Sequence, residues 1–246
     1  MIKSSNPALG KKMFDSYDTA LPLEGRMTIN GTINKTVILL VLLMIPAYWM
    51  WNMFSQSGAE AVTPWLYGGL FGGLIFAFIT IFKKTWAPFT APIYALLEGL
   101  VIGGISAIFE AQFPGIVFQA VALTFGTLFS LLVAYRSGLI KVTQKFRLGV
   151  VAATGAIFLV YFVSLIIGFF GVNVPFIYSG GTFGILFSLF VVVIAALNLV
   201  LDFDFIEKGA EHGAPKFMEW YGAFGLIITL VWLYIEFLRL LSKIRQ

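Results

Sequence analysis

Two aspartates, Asp202 and Asp204, stand two residues apart where a long apolar run ends, in the stretch LNLVLDFDFIEKG. Residues two apart on an α-helix point about 200° away from each other, so these carboxylates cannot share one helix face. Asn198 lies one turn before Asp202 and forms a polar stripe with it. We therefore predict that Asp202 faces the protein interior and that Asp204 faces loop, solvent or lipid headgroups at the rim.

Aspartates with this spacing also bind divalent metals in soluble proteins, but the surroundings argue against such a site here. In nucleotide-sugar transferases and haloacid-type phosphatases they lie on loops of a large α/β domain, which this chain lacks. An EF-hand needs oxygen ligands at regular spacing, whereas DFDFIEKGAEHG places phenylalanines among them.

Two further acids, Glu98 and Glu236, stand inside apolar segments, in LLEGLVIGG and VWLYIEFLRL. An ionised carboxylate in hydrocarbon costs at least a few kcal/mol, so each is a candidate functional residue. Structural explanations remain open for both. A protonated Glu98 could form a hydrogen bond across a close helix contact, and Glu236 could pair with Arg239, three residues later on the same helix face.

The composition places these acids in a membrane protein. Of the 246 residues, 59% are hydrophobic and 11% are charged, which is outside the range of soluble globular domains. Repeated apolar runs of about 18 to 25 residues can each cross the membrane as a helix. The basic residues are scattered over short loops, so we expect a lipid bilayer as partner and no nucleic acid.

The chain is predicted to be an all-α polytopic membrane protein with a polar N-terminal tail (1–35) and a transmembrane domain (36–246) of seven helices. The predicted spans cover 36–54, 64–82, 89–109, 115–135, 148–171, 180–201 and a segment within 217–241. Glycines in YGGLFGGLIF and EGLVIGGIS predict close contacts between helix backbones.

The distribution of lysine and arginine predicts a cytoplasmic N-terminus. With that orientation 13 of the 16 basic residues lie on the cytoplasmic side, and the other three are Arg239, Lys243 and Arg245 at the C-terminus. A last helix that spans fully places these three outside, against the positive-inside rule. A re-entrant last segment would remove the conflict, but we favour the full span.

Enzyme chemistry is not expected. The absence of cysteine excludes thiol catalysis, and the single histidine, His212, falls in a loop. An intramembrane serine protease would need a histidine near a serine such as Ser179 within the bundle. A retinal protein would need a lysine in the middle of the last span, where none stands.

The E-G pair in the third span, the aspartate closing the sixth and the acid in WLYIEFLRLL together resemble the Bax inhibitor-1/YccA-like (transmembrane Bax inhibitor motif) family. The stretch LDFDFIEKGAEHGAPKFMEWYGAFGLIITLVWLYIEFLRLL is most similar to its bacterial branch. The resemblance implies a seven-helix bundle with six helices around a central C-terminal helix. It also implies a cytoplasmic (inner) membrane location in a bacterium.

The same resemblance implies a pH-sensitive calcium leak channel gated by two facing aspartates, on the sixth and seventh helices, that share a proton. These positions correspond to Asp202 and Glu236, and Glu98 corresponds to the family's acid in the E-G motif. Two carboxylates in one low-dielectric site cannot both ionise cheaply, and deprotonation attracts a cation such as Ca²⁺. We thus expect calcium ions and protons as partners, Asp202 and Glu236 as transient Ca²⁺ ligands, and no resident cofactor.

Two features depart from this pattern. A glutamate, Glu236, replaces the expected aspartate, and it follows Asp202 by 34 residues. If the helices met at residues 212–215, the two acids would miss each other by about 16 Å, at 1.5 Å of rise per residue. They can meet only if GAPKFMEWYGAFG forms an interfacial turn or short helix.

Two other functions stay open at this point. One is a non-conducting regulator of a membrane protease or stress response, which would bind a membrane-protein partner. The other is a small secondary transporter, although the chain shows no convincing internal repeat.

Overall fold

The computed structural model describes residues 25–170 and 181–246. The long elements in these ranges are α-helices: α1 (Ile29–Phe82), α2 (Ala87–Gln112), α3 (Ile116–Arg136), α4 (Gln144–Phe169), α5 (Thr182–Glu211) and α6 (Met218–Arg245). A short 3-10 turn, Lys84–Trp86, precedes α2. Within residues 25–170 and 181–246, six helices are long and apolar enough to cross a membrane. The predicted all-α integral membrane protein is thereby confirmed, whereas Ser179, between the fifth and sixth predicted spans, lies outside the described residues.

The first helix consists of two arms joined at Gly58. The backbone of Gly58 is non-helical (φ 76°, ψ −173°), in a region that favours glycine. The rings of Trp49 and Trp65 meet edge to face with their centroids 5.1 Å apart. In one straight helix, 16 residues would separate them by about 24 Å. The chain therefore turns back at Gly58, within residues 55–63, which separate the first and second predicted spans.

The chain divides into two compact units. The described part of the first unit contains residues 25–108 and Asp204–Ile227, so it includes α1 and most of α2. The described part of the second unit contains residues 109–170, 181–203 and 228–246, so it includes α3, α4, most of α5 and the C-terminal part of α6. Its core cluster is formed by Ile157, Val191 and Ile194.

Glycines let α2 pack closely against both arms of α1, as their sequence positions predict. A Cβ atom built on Gly103 would lie 2.5 Å from the carbonyl oxygen of Ala47, and one on Gly69 would lie 2.7 Å from that of Leu97. Real Cβ atoms essentially never approach a neighbour below 3.0 Å. These backbones can therefore be this close only because glycine has no side chain.

Adjacent glycines of α1 offer a matched test of this packing. Gly69→Ala is expected to lower the free energy of unfolding by about 1–3 kcal/mol, because the new methyl group overpacks the contact with α2. Gly68→Ala has no neighbour within 4 Å and is expected to be neutral or stabilising, since alanine favours a helix. Thermal unfolding in detergent measures both. Equal effects of the two variants would contradict the close contact.

The end of the predicted tail is an ordered part of the first unit. The amide of Met27 donates to the Ala214 carbonyl (2.6 Å), and that of Lys216 donates to the Gly25 carbonyl (2.9 Å). Thr28 caps α1, which begins at Ile29. The predicted tail boundary at residue 35 is therefore too late, because backbone pairing and the cap order these residues. Residues 1–24 of that tail lie outside the described part.

Buried Glu219, in the first turn of α6, holds this end of α1. Its Oε1 accepts hydrogen bonds from the amide (3.0 Å) and hydroxyl (2.9 Å) of Thr28. Lys35 Nζ lies 3.3 Å from Oε2, and Lys216 Nζ lies 3.8 Å from Oε1. Glu219, which lies in the stretch GAPKFMEWYGAFG considered above as an interfacial turn or short helix, is thus an internal partner of the first helix.

The last helix is continuous. α6 runs through 28 residues from Met218 to Arg245, and residues 212–217 alone connect it to α5. The separate interfacial helix that would bring Asp202 and Glu236 to one level is therefore not formed. A re-entrant last segment is equally unsupported, since α6 has no break at which it could turn back.

Candidate functional site

Polar side chains of α4 and α5 meet inside the second unit. Asn198 donates from Nδ2 to Thr154 Oγ1 (2.8 Å) and to the Ile194 carbonyl (2.8 Å). Farther along α4, the ring of Tyr161 packs edge to face on Phe187, with centroids 6.1 Å apart. Higher numbers on α4 thus face lower numbers on α5, so these two helices are antiparallel.

The helix α6 contributes the remaining side chains. Thr229 forms a side-chain hydrogen bond with Asp202, and Lys243 binds α5 at Ser188. α5 and α6 are therefore also antiparallel. We use the name polar column for the polar side chains that follow one another along these three helices, from the contact of Asp202 with Thr229 to that of Lys243 with Ser188: Thr154, Tyr161, Ser188, Asn198, Asp202, Thr229, Glu236, Arg239 and Lys243.

Asp202 lies at one end of the polar column. One of its oxygens, Oδ2, is buried and has no hydrogen-bond partner among the described residues. The neighbouring stripe residue, Asn198, is turned to Thr154. Thr229 was not found by sequence reasoning, because one hydroxyl in the apolar run LIITLVWL gives no pattern that selects it.

Glu236 lies in the middle of the column and is almost fully buried, with 1% of the residue exposed. Tyr161 donates its hydroxyl hydrogen to the carboxylate, at 3.2 Å from Oε1 and 3.1 Å from Oε2. Arg239 Nη1 donates to Oε1 at 3.1 Å, and its guanidinium lies 4.9 Å from the Tyr161 ring centroid. The predicted internal pairing of Glu236 with Arg239 is confirmed, whereas Tyr161 was not foreseen.

The two acids of the predicted carboxylate pair have different partners. Thr229, which binds Asp202, precedes Glu236 by seven residues, or about 10 Å along α6. No hydrogen bond joins the two carboxyls in the part of the chain that the structure describes. The two acids lie at different levels because α6 begins at Met218 and continues without a break past both Thr229 and Glu236. A proton shared by Asp202 and Glu236 stays a prediction.

The other two predicted acids belong to the first unit. Glu98 forms a side-chain hydrogen bond with Tyr94, one turn earlier on α2. Its Oε2 lies 3.5 Å from the position that a Cβ of Gly73 would take. Glu98 thus lies where the two helices meet, but its hydrogen-bond partner is on its own helix, so a hydrogen bond across the helix contact stays a prediction.

Asp204 is not at a solvent-facing rim. The residue is buried, with 4% exposed, and Lys208 Nζ lies 2.6 Å from its Oδ1 and 2.8 Å from its Oδ2. The prediction of an exposed aspartate is wrong because an ion pair with the lysine one turn later compensates its charge.

The basic C-terminus is also bound within the second unit. Lys243 donates to the Gly184 carbonyl and to Ser188, and Arg245 Nη1 donates to the Pro114 carbonyl (2.9 Å). Arg245 Nη2 donates to Gln119 Oε1 (2.8 Å). These basic residues therefore have protein partners within the described part of the chain.

A resident metal centre is not evident in the described ranges. They contain no group of three or more histidine, cysteine, aspartate or glutamate residues that could hold a metal ion. Asp202 and Glu236 could each contribute carboxylate oxygens to a passing cation, but they do not form one coordination cage.

Comparison with known proteins gives one match. A family model described as Bax inhibitor 1 like matches residues 6–246, which is nearly the whole chain. No curated protein and no solved structure gives a significant match.

Proposed function

The chain belongs to the Bax inhibitor-1-like family, and on that premise we propose that it is a pH-sensitive leak protein for Ca²⁺, accompanied by protons. The observation that carries the proposal is Asp202 Oδ2, a buried carboxyl oxygen without a hydrogen-bond partner in the described chain. It stands at one end of the polar column of the second unit.

A carboxyl oxygen in apolar surroundings is stabilised by a proton or by a cation. The two compete for Asp202, whose other described contact is the uncharged Thr229. A higher proton concentration displaces the cation, so cation entry should fall as pH falls and rise as pH rises. Asn198 and Thr154 provide further oxygen and amide groups at this level of the column.

The central position of the column supplies a second acid. Glu236 faces Tyr161, Trp232, Arg239 and Lys243. Its charge is therefore compensated by donors and cations of the protein itself. We assign it the role of a fixed charge within the route, separate from Asp202, in place of a symmetrical carboxylate pair.

Seven membrane crossings form part of the proposal. α1 contains 54 residues, about 81 Å of helix, against about 30 Å of hydrocarbon. Because α1 turns back at Gly58, it would cross the membrane twice. Together with one crossing by each of the other five helices, this gives seven crossings. The burial of Leu233, Glu236 and Leu238 supports a central α6. A cytoplasmic N-terminus in a bacterial inner membrane completes this arrangement.

The leak is tested with purified protein in liposomes. Wild-type protein should release Ca²⁺ faster as the pH is raised. Asp202→Asn keeps the shape but removes the ionisable group, and we expect flux at mildly alkaline pH to fall by about tenfold, equal to about 1.4 kcal/mol. The pH dependence should also be flattened.

Glu60→Gln is the matched control, because Glu60 is an exposed acid outside the polar column. Wild-type flux and pH dependence in Asp202→Asn would exclude this mechanism. If the wild-type protein shows no Ca²⁺ flux and co-purifies with a membrane partner, the non-conducting regulator would be favoured. Ca²⁺ accumulation against its gradient, driven by another ion, would favour a secondary transporter.

A further inference from the structure

The ammonium group of Lys243 is buried at the opposite end of the polar column from Asp202. Only 5% of this residue is exposed, although it lies beyond the predicted last span, within 217–241. Its Nζ donates to the carbonyl oxygen of Gly184 (3.1 Å) and to the hydroxyl of Ser188 (2.8 Å). Both acceptors are uncharged. No ion pair joins Lys243 to a carboxylate within residues 25–170 and 181–246.

This end of the column carries an excess of positive charge. Arg239 stands one turn before Lys243 on the same helix face, and its guanidinium is bound to Glu236. Two cations therefore accompany one carboxylate. Gly184 lies in the first turn of α5, where the helix dipole adds partial positive charge. An entering cation meets repulsion here, in contrast to the Asp202 end.

We propose that Lys243 is a tethered cation that closes this end of the polar column to permeating cations. The inference rests on the leak function proposed above and adds the residue that limits it. Flux through the column then requires the ammonium to leave Gly184 and Ser188.

The chemistry of the two acceptors supports this role. Backbone carbonyl and hydroxyl oxygens are the groups that replace hydration water around an ion in a selective pore. In this protein the ammonium of Lys243 occupies them. A fixed positive charge also repels mobile cations, which is how some pores exclude them. One side chain thus both fills the oxygen site and opposes entry.

A pair of substitutions separates charge from size. Lys243→Met removes the charge and keeps an unbranched side chain, and we expect Ca²⁺ flux in liposomes to rise by at least about tenfold, the effect of removing about 1.4 kcal/mol of barrier. Lys243→Arg keeps the charge, and its flux should stay within about twofold of the wild-type flux, equal to about 0.4 kcal/mol.

The absence of cysteine from the chain allows a test within one protein sample. Lys243→Cys should conduct faster than wild type. Aminoethyl methanethiosulfonate restores an ammonium at this position and should reduce the flux again, whereas methyl methanethiosulfonate adds a neutral group and should not. Mass spectrometry confirms each modification. Ile244→Cys, on the 58% exposed neighbouring residue, is the control and should respond to neither reagent.

The possible outcomes distinguish this inference from the function on which it rests. A leaking wild type with unchanged flux in Lys243→Met and Lys243→Cys would overturn the closure by Lys243 and leave the leak function intact. If neither the wild type nor any variant conducts, both proposals are wrong. Faster flux that only the charged reagent reverses supports the tethered cation, and this comparison decides the matter even if Lys243→Met fails to fold.

Discussion

Glu219→Ala is expected to lower the free energy of unfolding by about 3–5 kcal/mol, because it removes two hydrogen bonds to a charged group, each of which contributes about 1.5–3 kcal/mol. The carboxylate of Glu219 is fully buried and accepts two hydrogen bonds from Thr28. It also attracts Lys35 and Lys216, whose exposure to solvent reduces their share of the effect. The contacts that are lost stabilise mainly the N-terminal end of α1, where Thr28 caps the helix.

Thermal or denaturant unfolding in detergent measures the effect. Glu60→Ala removes an exposed acid and should change stability by no more than about 0.5 kcal/mol. If the two substitutions had equally small effects, Glu219 would not hold the N-terminal end of α1.

Gly31 provides an independent check on the same contact. A Cβ on Gly31 would overlap the carboxylate of Glu219. Gly31→Ala should therefore cost about 1–3 kcal/mol in the wild-type protein. In the Glu219→Ala background the carboxylate is gone, so the same substitution should be nearly neutral. Additive effects would show that the two residues do not meet.

Arg239→Leu is expected to have the second large effect, a loss of about 3–5 kcal/mol. It removes the only ion-pair partner of Glu236 within the described residues and leaves the buried carboxylate with Tyr161 as a neutral donor and Lys243 as the remaining nearby cation. Because 38% of the Arg239 side chain is exposed, the lower part of this range is the better expectation. Lys141→Leu, at an exposed position, is the control for removing a positive charge.

The cause of this loss is tested by rescue. Glu236→Gln in the Arg239→Leu background removes the unpaired negative charge while an amide oxygen can still accept from Tyr161. We expect the double variant to be more stable than Arg239→Leu alone. A double variant that loses further stability would show that packing of the arginine stem, and not the unpaired carboxylate, explains the effect.

Local spacing was enough to predict part of the candidate site. Glu236 and Arg239 are three residues apart on one helix, so their pairing follows from helix geometry alone. The division of Asp202 from Asp204 follows from the same geometry, and the two have different partners in the structure. The exposure of Asp204 could not be predicted in this way, because burial depends on which neighbours cover a helix face.

Contacts between helices needed the tertiary structure. Tyr161 and Thr229 belong to apolar segments in which neither stands out, yet they are the partners of Glu236 and Asp202. Their pairing depends on helix register, and register depends on the residue at which α6 begins. The different distances of Asp202 and Glu236 from the turn between their helices already predicted that the two acids miss each other. Only the observed start of α6 at Met218 excluded the separate interfacial helix that could have brought them to one level.

The sequence by itself determined the membrane environment, the helical class, the family and the acids in apolar segments. The length of an apolar segment and the free-energy cost of a charge within it can be read from local composition. The tertiary structure decided which helices face one another, which acid keeps an unpartnered oxygen and where Lys243 places its charge. Those features depend on register and close packing between segments distant in sequence. The aspartates of LDFDF thereby acquire different environments: Asp204 is paired with Lys208, and Asp202 has a buried oxygen without a hydrogen-bond partner in the described chain.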